Sequence, residues 1–274
     1  MEVPDAGGDP DGRESPMKGV VLAGGLGSRL HPMTRVTNKH LLPVFDRPMI
    51  YFPIQQLAHA GIEEILIVTG GNHAGDFLRL LGNGREFGIR GLNYTYQERE
   101  GGIAEALALA EDFAAEGPLC VILGDNIFGS PIKPAVDAYR ADPQGAMVVL
   151  KEVEDPERFG VATLEDDRVV AIEEKPSAPR SNLAVTGCYF YDRRVFEIVH
   201  GLSPSARGEL EITDVNNRYV VWEALRHHVA DGWWTDAGTI PSLYRATRLV
   251  AGSASESVLH LPDVTPPTRR STDS

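Results

Sequence analysis

Short apolar runs closed by glycine alternate along this chain with longer segments of helical spacing. Residues 18–23 form an apolar run stopped by Gly24-Gly25, the pattern of a buried strand. Apolar positions over 48–60 recur at helical spacing and stop at Gly61. The run 64–69 predicts a strand closed by Gly70-Gly71, 74–81 a helix ending at Gly82, and 92–97 a further strand. An Ala- and Leu-rich helix is predicted over 103–113, behind Gly101-Gly102. Residues 119–123 predict a strand leading into Gly124-Asp125-Asn126, followed by a helix over 132–140 and a strand over 146–153. This alternation argues for an α/β fold with a mostly parallel sheet.

Beyond residue 153 the pattern loosens. Runs 161–164 and 168–174 predict strands joined by the turn Glu165-Asp166-Asp167, and 185–191 predicts another. No linker-like stretch precedes them, so they are expected to add a substrate-side lobe to the same sheet. Residues 1–16 carry five acids and three prolines without apolar periodicity. They predict a disordered leader, or sequence upstream of a start at Met17. From 251 the chain turns to Ser, Thr and Pro, which predicts a flexible tail over 251–274 and a folded body over 17–250.

Composition narrows the function. Hydrophobic residues are 42% of 274, enough for a sizeable core, and no apolar run reaches the ~18–20 residues that a membrane-spanning helix needs. The formal charge of −13 gives no general attraction for nucleic acid or an anionic membrane. An anionic ligand would therefore need a local cluster of cations. Cys120 and Cys188 both sit in apolar runs, with no metal-ligand or redox spacing. They point to a reducing, cytoplasmic setting, with pairing between them left open.

The chemistry begins at Leu22-Ala23-Gly24-Gly25-Leu26-Gly27-Ser28-Arg29-Leu30. A glycine-rich turn after a strand lets backbone N–H groups approach phosphate oxygens. Leu30 stands where the dinucleotide pattern needs a third glycine, and the Gly-Lys-Ser/Thr of a P-loop is absent. Residues 15–45 contain no acid but hold Lys18, Arg29, Arg35 and Lys39, so a cationic polyphosphate cradle is expected. Asp125 ends a buried strand on the side where ligands gather in open α/β sheets. Asp236 sits in a turn after Trp233-Trp234. Gly-x-Ser-x-Gly, His-Glu-x-x-His and Cys-x-x-Cys are all absent, and His227-His228 falls in an amphipathic segment read as surface or structural.

The glycine-rich turn, followed by Asn38-Lys39-His40-Leu41-Leu42-Pro43, resembles the signature of the sugar-1-phosphate nucleotidyltransferases. Further segments of the same resemblance run in order to Trp234-Thr235-Asp236-Ala237-Gly238-Thr239, among them Pro48-Met49-Ile50-Tyr51, Gly101-Gly102-Ile103-Ala104, Glu157-Arg158-Phe159-Gly160-Val161, Glu173-Glu174-Lys175-Pro176 and Arg207-Gly208-Glu209-Leu210-Glu211. The resemblance implies a Rossmann-like nucleotidyltransferase fold with an added sugar-side lobe. It implies attack of a sugar-1-phosphate oxygen on the α-phosphorus of a nucleoside triphosphate, and most resembles the members that join dTTP to glucose 1-phosphate. UTP, or another hexose 1-phosphate, is the near alternative; a silent nucleotide-sugar sensor is the remote one.

By the same resemblance Arg29, Lys39 and Lys175 are the catalytic cations. Leu22, Gly24, Gly25, Gly27, Ser28, Gln97 and Gly102 would bind nucleotide. Asn126, Gly160, Glu174, Lys175, Thr186, Tyr189 and Arg207 would bind the sugar phosphate, and Asp125 and Asp236 would hold Mg²⁺. The chain resembles the short form, lacking the C-terminal helical region that carries an effector site and tetramer contacts; a homo-oligomer is still expected. Glu105 stands where many members have an amide residue, a departure on the base side.

Overall fold

The computed structural model describes residues 15–254. Residues 1–14 of the expected leader and 255–274 of the expected tail lie outside the described residues. In chain order the elements are β1 (Lys18–Ala23), β2 (Pro43–Val44), β3 (Arg47–Pro48), α1 (Tyr51–His59), β4 (Glu64–Gly70), α2 (Ala74–Leu81), β5 (Gly91–Gln97), α3 (Ile103–Ala108), α4 (Glu111–Ala114), β6 (Leu119–Leu123), β7 (Asn126–Phe128) and α5 (Lys133–Arg140). There follow β8 (Ala146–Glu152), β9 (Gly160–Glu165), β10 (Arg168–Glu174), β11 (Leu183–Tyr191), α6 (Arg194–His200), α7 (Ile212–Val221), β12 (Leu225–Val229), β13 (Trp234–Asp236) and α8 (Ile240–Ala254).

One nine-stranded sheet organises the molecule, in the order β10-β9-β11-β6-β1-β4-β5, with β8 on β11 and β12 on β8. Strands β6, β1, β4 and β5 run parallel. β11 enters antiparallel to β6 and carries β8 and β9 with it. The expected lobe is thus part of the same sheet, and β9 and β10 form the expected hairpin.

Strands β1, β4 and β6 are buried on both faces, which is why they read as unbroken apolar runs, whereas the edge strand β5 is half-exposed. Val20, Leu22, Leu66, Val68 and Val121 pack on one face with residues of α3, α6 and α7. Val21, Ala23, Ile65, Ile67 and Ile122 pack on the other with residues of α1, α2 and α5. A smaller cluster of Val44, Met49, Phe52, Ile127, Ala237, Ala246 and Val250 seats α8 beneath the two-stranded β7–β13 ribbon.

Several expectations need correction. The helix predicted over 103–113 is two helices, α3 and α4, parted where Ala110 N–H turns back to Leu107 O at 2.9 Å. Nothing in the local sequence marks that break; Ala110 is wholly buried there. The predicted helix over 48–60 starts only at Tyr51, because Arg47–Pro48 pairs with Pro43–Val44. His227 and His228 lie on strand β12, paired in parallel with β8. Cys120 and Cys188 are buried free thiols on neighbouring strands, and burial pushes the Cys120 thiol well up. Among the described residues no helix is long and apolar enough to cross a membrane.

Candidate active site

Strand ends β1, β5 and β6 rim a cavity of about 410 Å³, at the carboxyl side of the parallel strands. The glycine-rich turn forms one wall. Gly25 and Gly27 have φ of +91° and +64°, a region that other residues enter at a penalty. A Cβ on Gly27 would also fall 2.9 Å from Lys39 Cβ, so the turn and the Lys39 segment close on each other only through glycine. Thr34 Oγ1 donates to Gly27 O at 2.7 Å and ties the turn to the residues that follow it.

Lys39 is positioned by its neighbours. Asn38 Oδ1 accepts from His40 N–H at 2.9 Å and from the ring Nδ1 at 2.8 Å, which shapes the turn carrying Lys39. His40 is buried, and burial together with the Lys39 charge lowers its pKa to about 3, so it stays neutral. Gly124 leaves it room: a Cβ there would lie 2.7 Å from His40 Cδ2.

Asp125 follows directly. Its Oδ2 accepts from Lys39 Nζ at 2.6 Å, and its Oδ1 from Asn126 Nδ2 at 3.1 Å. Burial pushes the Asp125 carboxyl up, but the Lys39 charge and these hydrogen bonds outweigh it and hold the group well below the usual carboxylate range.

Asp236 reaches the same place from far along the chain. Strand β13 pairs antiparallel with β7, setting Asp236 opposite Asn126. Asp236 Oδ2 accepts from Gly238 N–H at 3.1 Å and from Ser242 Oγ at 3.0 Å, while Oδ1 accepts from Arg158 Nη2 at 3.2 Å. Gly238 marks the meeting point. A Cβ there would stand 3.2 Å from Asp125 Oδ2, 3.4 Å from Asp236 Oδ2 and 3.5 Å from Arg29 Nη2.

The cavity brings together Leu22, Gly24, Gly25, Gly27, Ser28, Arg29, Lys39, Gln97, Gly102 and Asp125. Of the remaining predicted site residues, Gly160, Glu174, Lys175 and Arg207 form a neighbouring cluster. Glu174 Oε1 lies 3.1 Å from Lys175 Nζ and 3.8 Å from Arg207 Nη2, and its Oε2 accepts from Thr213 Oγ1 at 2.9 Å. A Cβ on Gly160 would be 3.5 Å from that Oε2. Arg207 also pairs with Glu211 at 2.8 Å. Asn126 is buried, with Oδ1 accepting from both Gly187 N–H and Trp234 Nε1. Thr186 is buried and donates to Val149 O; Tyr189 is buried beside Tyr191. These three sit in the frame beneath the cluster.

The expected cationic patch is narrower than the sequence window. Lys18 lies at the opposite end of β1, donating to Phe113 O and pairing with Glu64. Arg35 is exposed and does not line the cavity. An acid-free stretch of sequence does not stay together once a strand carries its first residue some six positions away from the turn.

The model for the nucleotidyl transferase family matches residues 18–253. The chain belongs to that family. It is 45% identical over 249 residues to the glucose-1-phosphate thymidylyltransferase of Neisseria gonorrhoeae, covering 89% of this chain and 86% of that protein. A Bacillus anthracis structure assigned as a glucose-1-phosphate thymidylyltransferase, crystallised with sucrose, is 50% identical, with a TM-score of 0.83 over 89% of this chain and 98% of that one. A UDP-glucose pyrophosphorylase structure with UDP-glucose is 25% identical, with a TM-score of 0.74 over 86% and 99%.

For this nucleotidyl transferase, reasoning from sequence passed over three residues. Arg158 stands within a motif of the resemblance, which gives it no role, and it pairs with Asp236. Gly238 follows Asp236 by two positions and owes its place to steric room alone. Glu100 also lines the cavity, its Oε1 accepting from Leu26 N–H; nothing in its sequence setting signals that.

Proposed function

We propose that the protein transfers a thymidylyl group from dTTP to glucose 1-phosphate, giving dTDP-glucose and pyrophosphate. The observation that carries this reading is the convergence of Arg29, Asp125 and Asp236 on Gly238, with Lys39 bonded to Asp125, in a chain 45% identical to a glucose-1-phosphate thymidylyltransferase.

Both reactants are anions and repel each other, so the barrier falls through neutralisation and in-line positioning. Backbone N–H groups of the turn at Gly24, Gly25 and Gly27 cradle the triphosphate. Arg29 and Lys39 hold its outer phosphates and stabilise the charge that builds on the leaving pyrophosphate. Gln97 and Gly102 meet the base. Lys175 and Arg207 hold the phosphate of the sugar, and Glu174 accepts from its hydroxyls, orienting one phosphate oxygen toward the α-phosphorus. The protein need supply no covalent nucleophile, because the sugar phosphate is already ionised at neutral pH.

Family membership points to a divalent metal, and we take it to be Mg²⁺. The donors fit: Asp125 and Asp236 offer hard oxygens that converge on one point. Among the described residues no third His, Cys, Asp or Glu joins them, which leaves room for phosphate oxygens and water, the coordination Mg²⁺ favours. When bound, the metal supplies charge neutralisation at the reacting phosphates.

The test is pyrophosphate release from dTTP or UTP with glucose 1-phosphate and saturating Mg²⁺, with and without chelator. Turnover that is fastest with dTTP and lost to chelator is expected. No release with any nucleoside triphosphate and sugar 1-phosphate overturns the proposal.

A further inference from the structure

Gln97 closes β5 with its side chain above the glycine-rich turn, and its amide is oriented by two neighbours. Nε2 donates to Gly102 O at 3.3 Å and to Glu105 Oε1 at 3.2 Å. A carbonyl and a carboxylate can only accept, so they consume both N–H bonds of the amide. Exchanging oxygen and nitrogen would set Oε1 against two oxygens. Oε1 therefore faces the other way, toward Gly24, where it lies 2.6 Å from the position a Cβ would take. Gln97 and Gly24 both line the cavity.

Glu105 is built into this arrangement. It occupies the first turn of α3 and folds back over Gly101, where any Cβ would overlap its Oε2 at 1.9 Å. Gly102, with φ +100° and no space for a Cβ beside Leu210 O at 2.5 Å, brings the chain into the helix at that angle. Arg99 Nη2 approaches Glu105 Oε2 at 3.9 Å, leaving Oε1 to Gln97. Gly101 thus makes room for the carboxylate to reach the amide, and Gly102 for the chain to pass Leu210.

We propose that Glu105 sets the donor–acceptor polarity of the Gln97 amide, so that the cavity meets a nucleobase with an acceptor. This selects pyrimidines with an N–H at the central position of the pairing edge, uracil or thymine, over cytosine, whose ring nitrogen there is itself an acceptor. The inference rests on the reading that the cavity takes a nucleoside triphosphate. Glu105 acts through Gln97 and is a positioning residue.

The experiment measures binding of dTTP, dCTP and inorganic pyrophosphate, each with Mg²⁺, to the wild type and to Glu105→Gln and Glu105→Ala, by calorimetry. Glu105→Gln keeps the size of the side chain and an oxygen able to accept from Gln97 Nε2, so it should retain the amide's orientation, whereas Glu105→Ala removes that acceptor. The expected result is a dTTP-over-dCTP preference in the wild type that is kept in Glu105→Gln and falls about tenfold in Glu105→Ala. Pyrophosphate, which has no base, should bind all three proteins alike. A purely structural role would weaken all three ligands together and leave the ratio unmoved. An unchanged ratio in Glu105→Ala, or a wild type that binds dCTP as tightly as dTTP, overturns the inference. Selective dTTP binding by a wild type that transfers it to no sugar 1-phosphate would instead overturn the proposed function and leave this inference standing.

Discussion

Lys39 Nζ lies 2.6 Å from Asp125 Oδ2, although 86 residues separate them in the chain. The side chains are only 16% and 13% exposed, so each charge depends on the other for compensation. This pair joins the cationic wall of the cavity to its carboxylates.

Replacing Lys39 by Met should lower stability by about 3–5 kcal/mol, since Asp125 is left buried without its cation. The same change should lower kcat/KM by about 10²- to 10³-fold. Added Mg²⁺ should raise the melting temperature of Lys39→Met more than that of the wild type, because a cation between the carboxylates replaces the lost charge. Calorimetric melting with and without Mg²⁺ checks this; equal shifts in both proteins would contradict it.

Gly238→Ala should be folded but slow. The added methyl would press within 3.2–3.5 Å of Asp125, Asp236 and Arg29, displacing groups whose geometry the reaction uses. A fall in kcat of about 10²-fold with a nearly unchanged melting temperature is expected. Pyrophosphate release and thermal melting measured side by side decide it.

Glu100 places a negative charge at the turn where the triphosphate would lie, its carboxylate on the Leu26 amide. Glu100→Gln should therefore lower the KM for dTTP by about two- to fivefold, with kcat nearly unchanged. A raised KM would show instead that the carboxylate is needed to order the turn.

Asp214, in the first turn of α7, has its carboxyl pushed up by burial and by the nearby charges of Glu211 and Glu174. A raised folded-state pKa means that the ionised group opposes folding. The opposition is absent below the unfolded value near 4 and grows as pH rises through the folded value. Asp214→Asn should accordingly melt higher than the wild type at pH 7, and the gap should close as the pH is brought down to about 4. A gap independent of pH would rule this origin out.

The strands β1, β4 and β6 were legible because they are buried on both faces and so carry uninterrupted apolar runs ended by glycine. Strand β12 was not: its partner β8 covers one edge, its residues are mostly half-exposed, and His227-His228 breaks any apolar run. The break between α3 and α4 was equally hidden, since Ala-rich sequence favours a continuous helix and the burial of Ala110 arises from packing alone.

In the site, Arg29 and Asp125 could be picked out because each follows a glycine-marked strand end, and Lys39 because it lies in the acid-free stretch behind the first of them. Lys18 misled, because distance along an extended strand converts sequence neighbours into opposite ends of the sheet. Arg158 and Glu100 act through partners 78 and 74 residues away, and no local pattern records a contact of that kind.

What composition and spacing establish unaided is the α/β class, the glycine-rich turn and the types of charge available, because backbone propensity and burial periodicity are local properties. The meeting of Asp125 with Asp236 at Gly238, and the direction in which the Gln97 amide points, arise from the order in which strands join the sheet and from the space left where glycines omit a side chain. Those are relations between distant segments, fixed when the core packs.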